Sequence, residues 1–201
     1  MIKRNLLVMG LAVLLSACGF QLRGTGTNQL SITELDVTAR NAYGETVRQL
    51  RQVLENSGVK ITASAPYKLV LTSEQESQRA ATYTGVGGTV EYQLTNVLNY
   101  EIEGQNHLPL LSNKIEVHKM YLQDTSNITG SDQEAAMARQ EMRREVVQQM
   151  VLRLEQLTPE KLAELQKLAD ERAQAEAAAI EAARKAQEET PQQSPLELQD
   201  Q

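Results

Sequence analysis

The residue with the clearest chemical potential is Cys18, the single cysteine among 201 residues. It follows a basic pair, Lys3 and Arg4, and an apolar run over residues 6–15 that has the length of an export signal. That run is shorter than the roughly 20 residues that span a bilayer. A thiol placed after such a signal is either a lipid attachment point or a free thiol, and a free cysteine is usually a buried apolar residue.

The residues before the thiol favour lipidation. Leu15-Ser16-Ala17-Cys18 resembles the lipobox of bacterial lipoproteins, an aliphatic residue and two small residues before cysteine. The resemblance implies that the sulfur carries diacylglycerol, that cleavage precedes Cys18, and that the new amino terminus is acylated. Several acyl chains hold a protein firmly on a membrane, whereas one binds only marginally. Gly19 takes the place of an aspartate that retains such proteins at the inner membrane, which points to the outer membrane.

Other patterns that could carry chemistry are weak. His107 and His118 are far apart and have no metal-ligand spacing on a helix, and no Gly-x-Ser-x-Gly motif occurs. The glycine-rich stretch 84–89 lacks the lysine of a phosphate loop and is typical of a hairpin tip. Aromatic residues make up 3% of the chain and the net charge is −6, which argues against nucleic acid as a partner. We therefore predict no catalysis, no cofactor and no metal.

The elements that position these residues follow from hydrophobic periodicity. Alternation predicts strands over 31–39, 67–83, 89–103 and 112–122, and the short segment VKIT at 59–62 is strand-like. The strand over 89–103 has the clearest pattern, with one apolar and one polar face. The last three long strands follow one another and predict an antiparallel meander.

Two helices complete the predicted body. An apolar stripe at helical spacing covers 41–58 and ends at Gly58. A second helix is expected from Ser131, where Ser-Asp-Gln-Glu fits a capping box, to Leu157. Thr158 and Pro159 then start a further helix rich in Ala and Glu, which we expect to be exposed or to pack on a partner helix.

These elements predict an α/β fold of the α+β sandwich class, a mixed four-stranded sheet with two helices packed on one face. An extended helical and disordered tail follows. The predicted segments are a signal peptide at 1–17, a lipidated lead at 18–30, the α/β domain at 31–158, a helical extension at 159–189 and a disordered tail at 190–201.

The order of elements, with "CGFQLRG" at 18–24 and "VEYQL" at 90–94, resembles the LptE (RlpB) family of lipopolysaccharide-assembly lipoproteins. The resemblance covers about residues 18–157. It implies an outer-membrane lipoprotein on the periplasmic side that plugs an LptD-type β-barrel in a 1:1 complex, assists barrel assembly and binds lipopolysaccharide. A barrel lumen is wet and polar, which suits the polar strand faces.

The family implies basic contacts to the phosphates of lipopolysaccharide, but the hairpin tip has no basic residue. Arg79, Lys114 and Lys119 are the candidate contacts, and each could instead be an ordinary solvated strand charge. Phe20 and Arg23 are candidates for docking the lead. The alternative function is a periplasm-facing lipoprotein that serves as a scaffold or binds a small ligand in another envelope machine.

Overall fold

The computed structural model describes residues 30–42, 44–83 and 89–189. Several predicted features lie outside these ranges: the signal peptide, the lead with Cys18, Phe20 and Arg23, the hairpin tip at 84–88 and the tail at 190–201.

Five strands form one sheet in the order β2-β1-β3-β4-β5. Their bounds are β1 Glu34–Ala39, β2 Lys60–Ile61, β3 Lys68–Tyr83, β4 Thr89–Glu103 and β5 Pro109–Asp124. β1 runs parallel to β2 and β3, whereas β3, β4 and β5 pair antiparallel. The mixed sheet and its meander are confirmed, and the strand count is five instead of the predicted four.

The additional strand, β2, is two residues long. Its backbone is joined to β1 by Lys60 N–H donating to Thr33 O at 2.9 Å and by Thr62 N–H donating to Leu35 O at 3.2 Å. Two residues are too few to display an alternation, so periodicity alone could not place this segment in the sheet.

The helices of the described ranges are α1 Glu45–Asn56, α2 Ile128–Glu155 and α3 Pro159–Glu189, with a short 3-10 helix at Gln105–His107. The α1 side chains Val47, Leu50 and Leu54 are buried, as predicted from their spacing. Met142, Val146 and Met150 of α2 are fully buried in the same cluster. Both helices therefore cover one face of the sheet, which confirms the predicted sandwich.

The start of α2 differs from the prediction. The helix begins one turn earlier, at Ile128, because the side chain of Asn127 accepts a hydrogen bond from Gly130 N–H and caps it. Ser131, the predicted cap, is buried, and its hydroxyl accepts from Asp124 N–H at 2.8 Å. This hydroxyl ties the end of β5 to the first turn of α2, a long-range role that a local capping pattern does not reveal.

The beginning of α3 is capped as predicted, since Lys161 N–H donates to Thr158 Oγ1 at 3.3 Å. Leu162 and Ala169 are buried in the main core, which differs from the expected exposed helix. Beyond Ala173 the side chains of residues 174–188 are exposed. The leucines near its start dock the helix, and the Ala/Glu-rich remainder offers little apolar surface to bury.

Truncating a leucine on each face of the sheet should lower the free energy of unfolding by very different amounts. Leu94 of β4 is fully buried, so Leu94→Ala is expected to lower the free energy of unfolding by about 2–5 kcal/mol. Leu122 of β5 lies on the other face and is 51% exposed, so Leu122→Ala should change it by less than about 0.5 kcal/mol. Urea denaturation measures both. Equal losses would contradict the assignment of one covered and one uncovered face.

Candidate functional site

One face of the sheet is left without a helix in the described ranges. On β4 the buried residues from Leu94 to Ile102 are all even-numbered, and their odd-numbered neighbours are only partly buried. The partners of those neighbours on β5 are exposed: Lys114, Glu116, His118, Met120 and Leu122. We call this surface the open face. It is mainly polar, as period-two patterning with one buried side requires.

A β-bulge decides which β3 side chains reach the open face. The register of β3 on β4 shifts between Leu71 and Ser73, so one extra residue changes the side on which the following residues project. Before the bulge, odd-numbered Leu69 and Leu71 face the helices. After it, odd-numbered residues such as Ser73 and Arg79 lie on the open face.

An ion-pair ladder follows the open face along the edge strand β5. Lys114 Nζ lies 3.0 Å from Glu116 Oε2, and Glu116 Oε1 lies 3.4 Å from His118 Nε2. His118 Nδ1 is 2.9 Å from Thr95 Oγ1 on the neighbouring strand. The hydrogen bond and charge of Lys114, with a smaller contribution from His118, lower the pKa of Glu116 below its ordinary value of 4.5.

The structure places the three predicted basic residues in three different surroundings. Arg79 donates through Nε to Gln93 Oε1 at 2.8 Å on the open face. Lys114 is on the same face but pairs with Asn99, six β4 residues from Gln93 or about 20 Å away. Lys119 pairs with Leu94 and therefore faces the helices. Its Nζ is 3.6 Å from Glu145 on α2. These cations do not form one cluster.

A polar cavity of about 540 Å³ lies between α1, β3 and α2. Thr46 and Asn96, each only 2% exposed, form part of its wall. Thr46 Oγ1 donates to Glu74 Oε1 at 2.7 Å, and Asn96 Nδ2 donates to the same oxygen at 2.9 Å. Asn96 Oδ1 has no hydrogen-bond partner within the described part of the chain. A buried acceptor without a donor is rare in folded proteins.

Two arginines line this cavity, Arg40 after β1 and Arg143 on α2. Across residues 30–42, 44–83 and 89–189, no ion-pair or hydrogen-bond partner is found for either guanidinium. The nearby carboxylates are engaged, Glu45 with Arg48 and Glu76 with Arg139. Free guanidinium groups on a cavity wall are suited to phosphate or carboxylate ligands.

Sequence reasoning missed this cavity. From the sequence alone, Arg143 and Arg144 are expected to form an ordinary exposed helix face, whereas Arg143 is half-buried at the cavity wall. The one available signal was the position of Arg40 directly after a predicted strand. Ligands in α/β proteins often bind where a strand ends and a helix begins.

The described ranges hold no group of three or more residues that could bind a metal ion. His107 lies near Glu103 and His118 near Glu116, at separate places in the fold. Within the same ranges, no helix has both the length and the apolar character to cross a membrane. The predicted sites Cys18, Phe20 and Arg23 lie outside the described residues.

The mixed sheet and its single helix layer define a two-layer α/β sandwich that carries a polar open face and a polar cavity. A family model described as "LptE: Lipopolysaccharide-assembly" matches residues 32–154, more than half of the chain. The LPS-assembly lipoprotein LptE of Pectobacterium atrosepticum is 33% identical over 156 residues, which cover 74% of this chain and 83% of that protein. Its counterpart in Yersinia enterocolitica is 31% identical over 156 residues and covers 74% of each chain.

Solved structures share the fold. Rare lipoprotein B from Shewanella oneidensis superposes with a TM-score of 0.51 at 22% identity, covering 71% of this chain and 98% of that one. A minor lipoprotein from Acinetobacter baumannii gives a TM-score of 0.53 at 15% identity, with 61% and 90% covered. At these identities the likeness concerns the fold alone.

The chain therefore belongs to the LptE family of lipopolysaccharide-assembly lipoproteins. This confirms the resemblance found in the sequence. Members of the family act in lipopolysaccharide assembly without catalysis, and the prediction of a non-enzymatic protein is confirmed on that ground.

The ion-pair ladder predicts that replacing Lys114 changes the pKa of Glu116. Lys114→Ala removes the main causes of the lowered pKa of Glu116, so this pKa should rise toward 4.5. Because the folded-state pKa is depressed, the associated stabilisation is present at neutral pH and is lost as pH falls through the folded-state pKa. Carboxyl-carbon NMR titration measures the shift.

Glu160 provides the internal control for this titration. Its pKa is lowered by the hydroxyl of Thr158 and by a backbone hydrogen bond, with no contribution from Lys114, and should not respond to Lys114→Ala. A Glu116 titration that is the same in both proteins would rule out Lys114 as the cause.

Proposed function

We propose that this protein is a lipid-anchored outer-membrane component that occupies the lumen of an LptD-type β-barrel in a 1:1 complex. In this role it assists assembly of the barrel and binds lipopolysaccharide. Membership in the LptE family supports a role in lipopolysaccharide assembly. The barrel, the complex and the lipid ligand are the further steps of the proposal.

The observation that carries the plug proposal is the open face. A sheet that buries one side under helices and keeps the other side polar has no need of a second apolar layer. The interior of a large outer-membrane barrel is polar, so such a surface can enter it without burying unmatched apolar groups. β3, β4 and β5 are each about 50 Å long at 3.3 Å per residue, a length suited to a deep lumen.

The anchor proposal rests on the segment before the described residues. Leu15-Ser16-Ala17-Cys18 supplies the residue types that lipoprotein processing needs. With lipid on both the sulfur and the new amino terminus, Cys18 would hold the chain at the inner leaflet of the outer membrane on the periplasmic side. The segments proposed around it are the cleaved signal at 1–17, the lead at 18–30, the domain at 31–158, the helical extension at 159–189 and a tail at 190–201.

For the lipid ligand, we propose that the anionic groups of lipopolysaccharide contact Arg40 and Arg143 in the cavity. These two guanidinium groups carry no partner within the described ranges, whereas Arg79, Lys114 and Lys119 are each engaged by a neighbouring side chain. A guanidinium that contacts only water exchanges that water for a phosphate oxygen, whereas an engaged cation must also give up its present side-chain contact. The three strand cations remain the competing set of contacts.

Extraction of outer membranes in mild detergent, followed by affinity purification of the tagged full-length protein, tests the barrel proposal. A large β-barrel protein should co-purify in near-equal amount. Cys18→Ser should leave the protein folded but release it from the membrane fraction, because no acyl chain is attached. Recovery of the wild type without a barrel would overturn the plug proposal and favour the alternative, a scaffold or small-ligand lipoprotein of another envelope machine.

Lipopolysaccharide binding separates the two sets of cations. The double variant Arg40→Gln and Arg143→Gln should weaken binding at least about tenfold, since each charge-assisted hydrogen bond contributes about 1.5–3 kcal/mol. The triple variant Arg79→Ala, Lys114→Ala and Lys119→Ala should weaken it less. Arg172→Gln, an exposed change on α3 outside the cavity lining, is the matched control. A larger loss of binding in the triple variant than in the double variant would place the site on the strands. Binding at the wild-type level by both variants would reject all five residues as lipopolysaccharide contacts.

A further inference from the structure

A shallow apolar groove runs between α1 and α2 on the side of the helix layer that faces away from the sheet. It has a volume of about 220 Å³. Its floor is aliphatic, formed by Val53, Val147, Val151 and Leu152. Leu152 is 48% exposed even though its neighbours belong to the core or pack against it. The groove is therefore apolar surface that the described ranges leave uncovered.

A carboxylate marks one end of this groove. Glu155, the last residue of α2, lines it, and its Oε1 atom is buried with no hydrogen-bond partner in the described ranges. A buried carboxylate oxygen is destabilising unless a donor reaches it. At the other end stands Arg144, which is exposed. The groove thus combines an aliphatic floor with a negative group at one end and a positive group at the other.

The described chain begins at the end of the groove where Glu155 lies. Glu34 at the start of β1 pairs with Lys60, just after α1 ends at Asn56. Because α2 returns from the far end of β5, its last residue also lies at the end of the sheet where β1 begins. Leu30, the first described residue, is buried there in the main core.

We propose that the lead, residues 18–29, occupies this groove. Phe20 and Leu22 would pack on the aliphatic floor, and Arg23 would donate to Glu155. Residues 24–29 between Arg23 and the core can reach about 20 Å, enough to bring Arg23 to the end of α2. From there an extended chain covers about 10 Å between Arg23 and Phe20, close to the helical rise from Glu155 to Gln148.

The distribution of charge fixes the direction of the lead. Arg23 pairs with the Glu155 carboxylate at the end of the groove near the start of the described chain. In the opposite direction it would approach Arg144, about 16 Å farther along α2, and the two positive charges would repel each other. Docked in this way, the lead would hold Cys18 against the helix layer. The helices would then be close to the membrane, and the open face would point away from the anchor.

Disulfide trapping in the full-length protein tests this contact. Lipidation of Cys18, which belongs to the proposed function, blocks the native thiol, so two introduced cysteines are the free pair. Leu22→Cys with Leu152→Cys should cross-link at least about tenfold faster than Leu22→Cys with Ile128→Cys. Ile128 is 64% exposed and lies about 36 Å from Leu152 at the opposite end of α2. Equal rates for the two pairs would overturn the proposal.

A charge exchange tests the polar contact. Glu155→Lys and Arg23→Glu should each slow the Leu22–Leu152 cross-link about fivefold, and the two together should restore it. Arg23→Glu changes only the lead, so its effect cannot come from loss of the folded body, and thermal unfolding checks Glu155→Lys. Failure of the double variant to restore the rate would reject the ion pair and with it the proposed position of the lead.

Co-purification of the barrel, measured on the same samples, keeps the two proposals apart. If the barrel co-purifies but the Leu22–Leu152 pair cross-links no faster than the Leu22–Ile128 pair, only the docking of the lead is rejected. If the Leu22–Leu152 pair cross-links preferentially but no barrel co-purifies, only the plug proposal is rejected.

Discussion

The structure depends on the alternation of side chains along β4. This strand lies between β3 and β5. Its even-numbered residues from Leu94 to Ile102 are buried in the core, and the odd-numbered ones between them are only partly buried. A shift of one residue would exchange the two faces, so the buried set fixes the register of both neighbouring strands. The helix layer and the open face are consequences of this single pattern.

The one polar member of that buried set is Asn96. Its amide, the hydroxyl of Thr46 and the carboxylate of Glu74 form a hydrogen-bonded node that connects α1 to β3 and β4. A polar group in this position is destabilising unless its hydrogen bonds are made, and one acceptor, Asn96 Oδ1, is still without a donor in the described ranges. The node coincides with the wall of the cavity that Arg40 and Arg143 line, which is why we place ligand binding there.

The protein presents three surfaces with different chemistry. The open face is polar, and many of its side chains pair with one another. The cavity holds two guanidinium groups and the aliphatic α1–α2 groove ends at a buried carboxylate oxygen, all without a partner in the described part of the chain. The partners that we propose for these three surfaces are a polar barrel lumen, an anionic lipid and the protein's own lead. The family assignment supports the general role, and each of the three matches is a separate proposal.

The sequence by itself determined the elements, because the periodicity of burial is local: the long strands, the stripes of α1 and α2, and the Thr158 cap are all predictable from spacing. It also determined the family, through short motifs and the order of elements. It predicted a strand-like segment at 59–62 but could not place it in the sheet as β2, because two residues are too few to show an alternation. It also missed the start of α2, where Ser131 bonds to Asp124 across the fold. The face on which Arg79 lies was decided by a bulge at Leu71–Ser73, and the partners of Lys114 and Lys119 by strand register and helix packing. The cavity arginines come from α2 and the end of β1, segments distant in the chain that only tertiary packing brings to one wall.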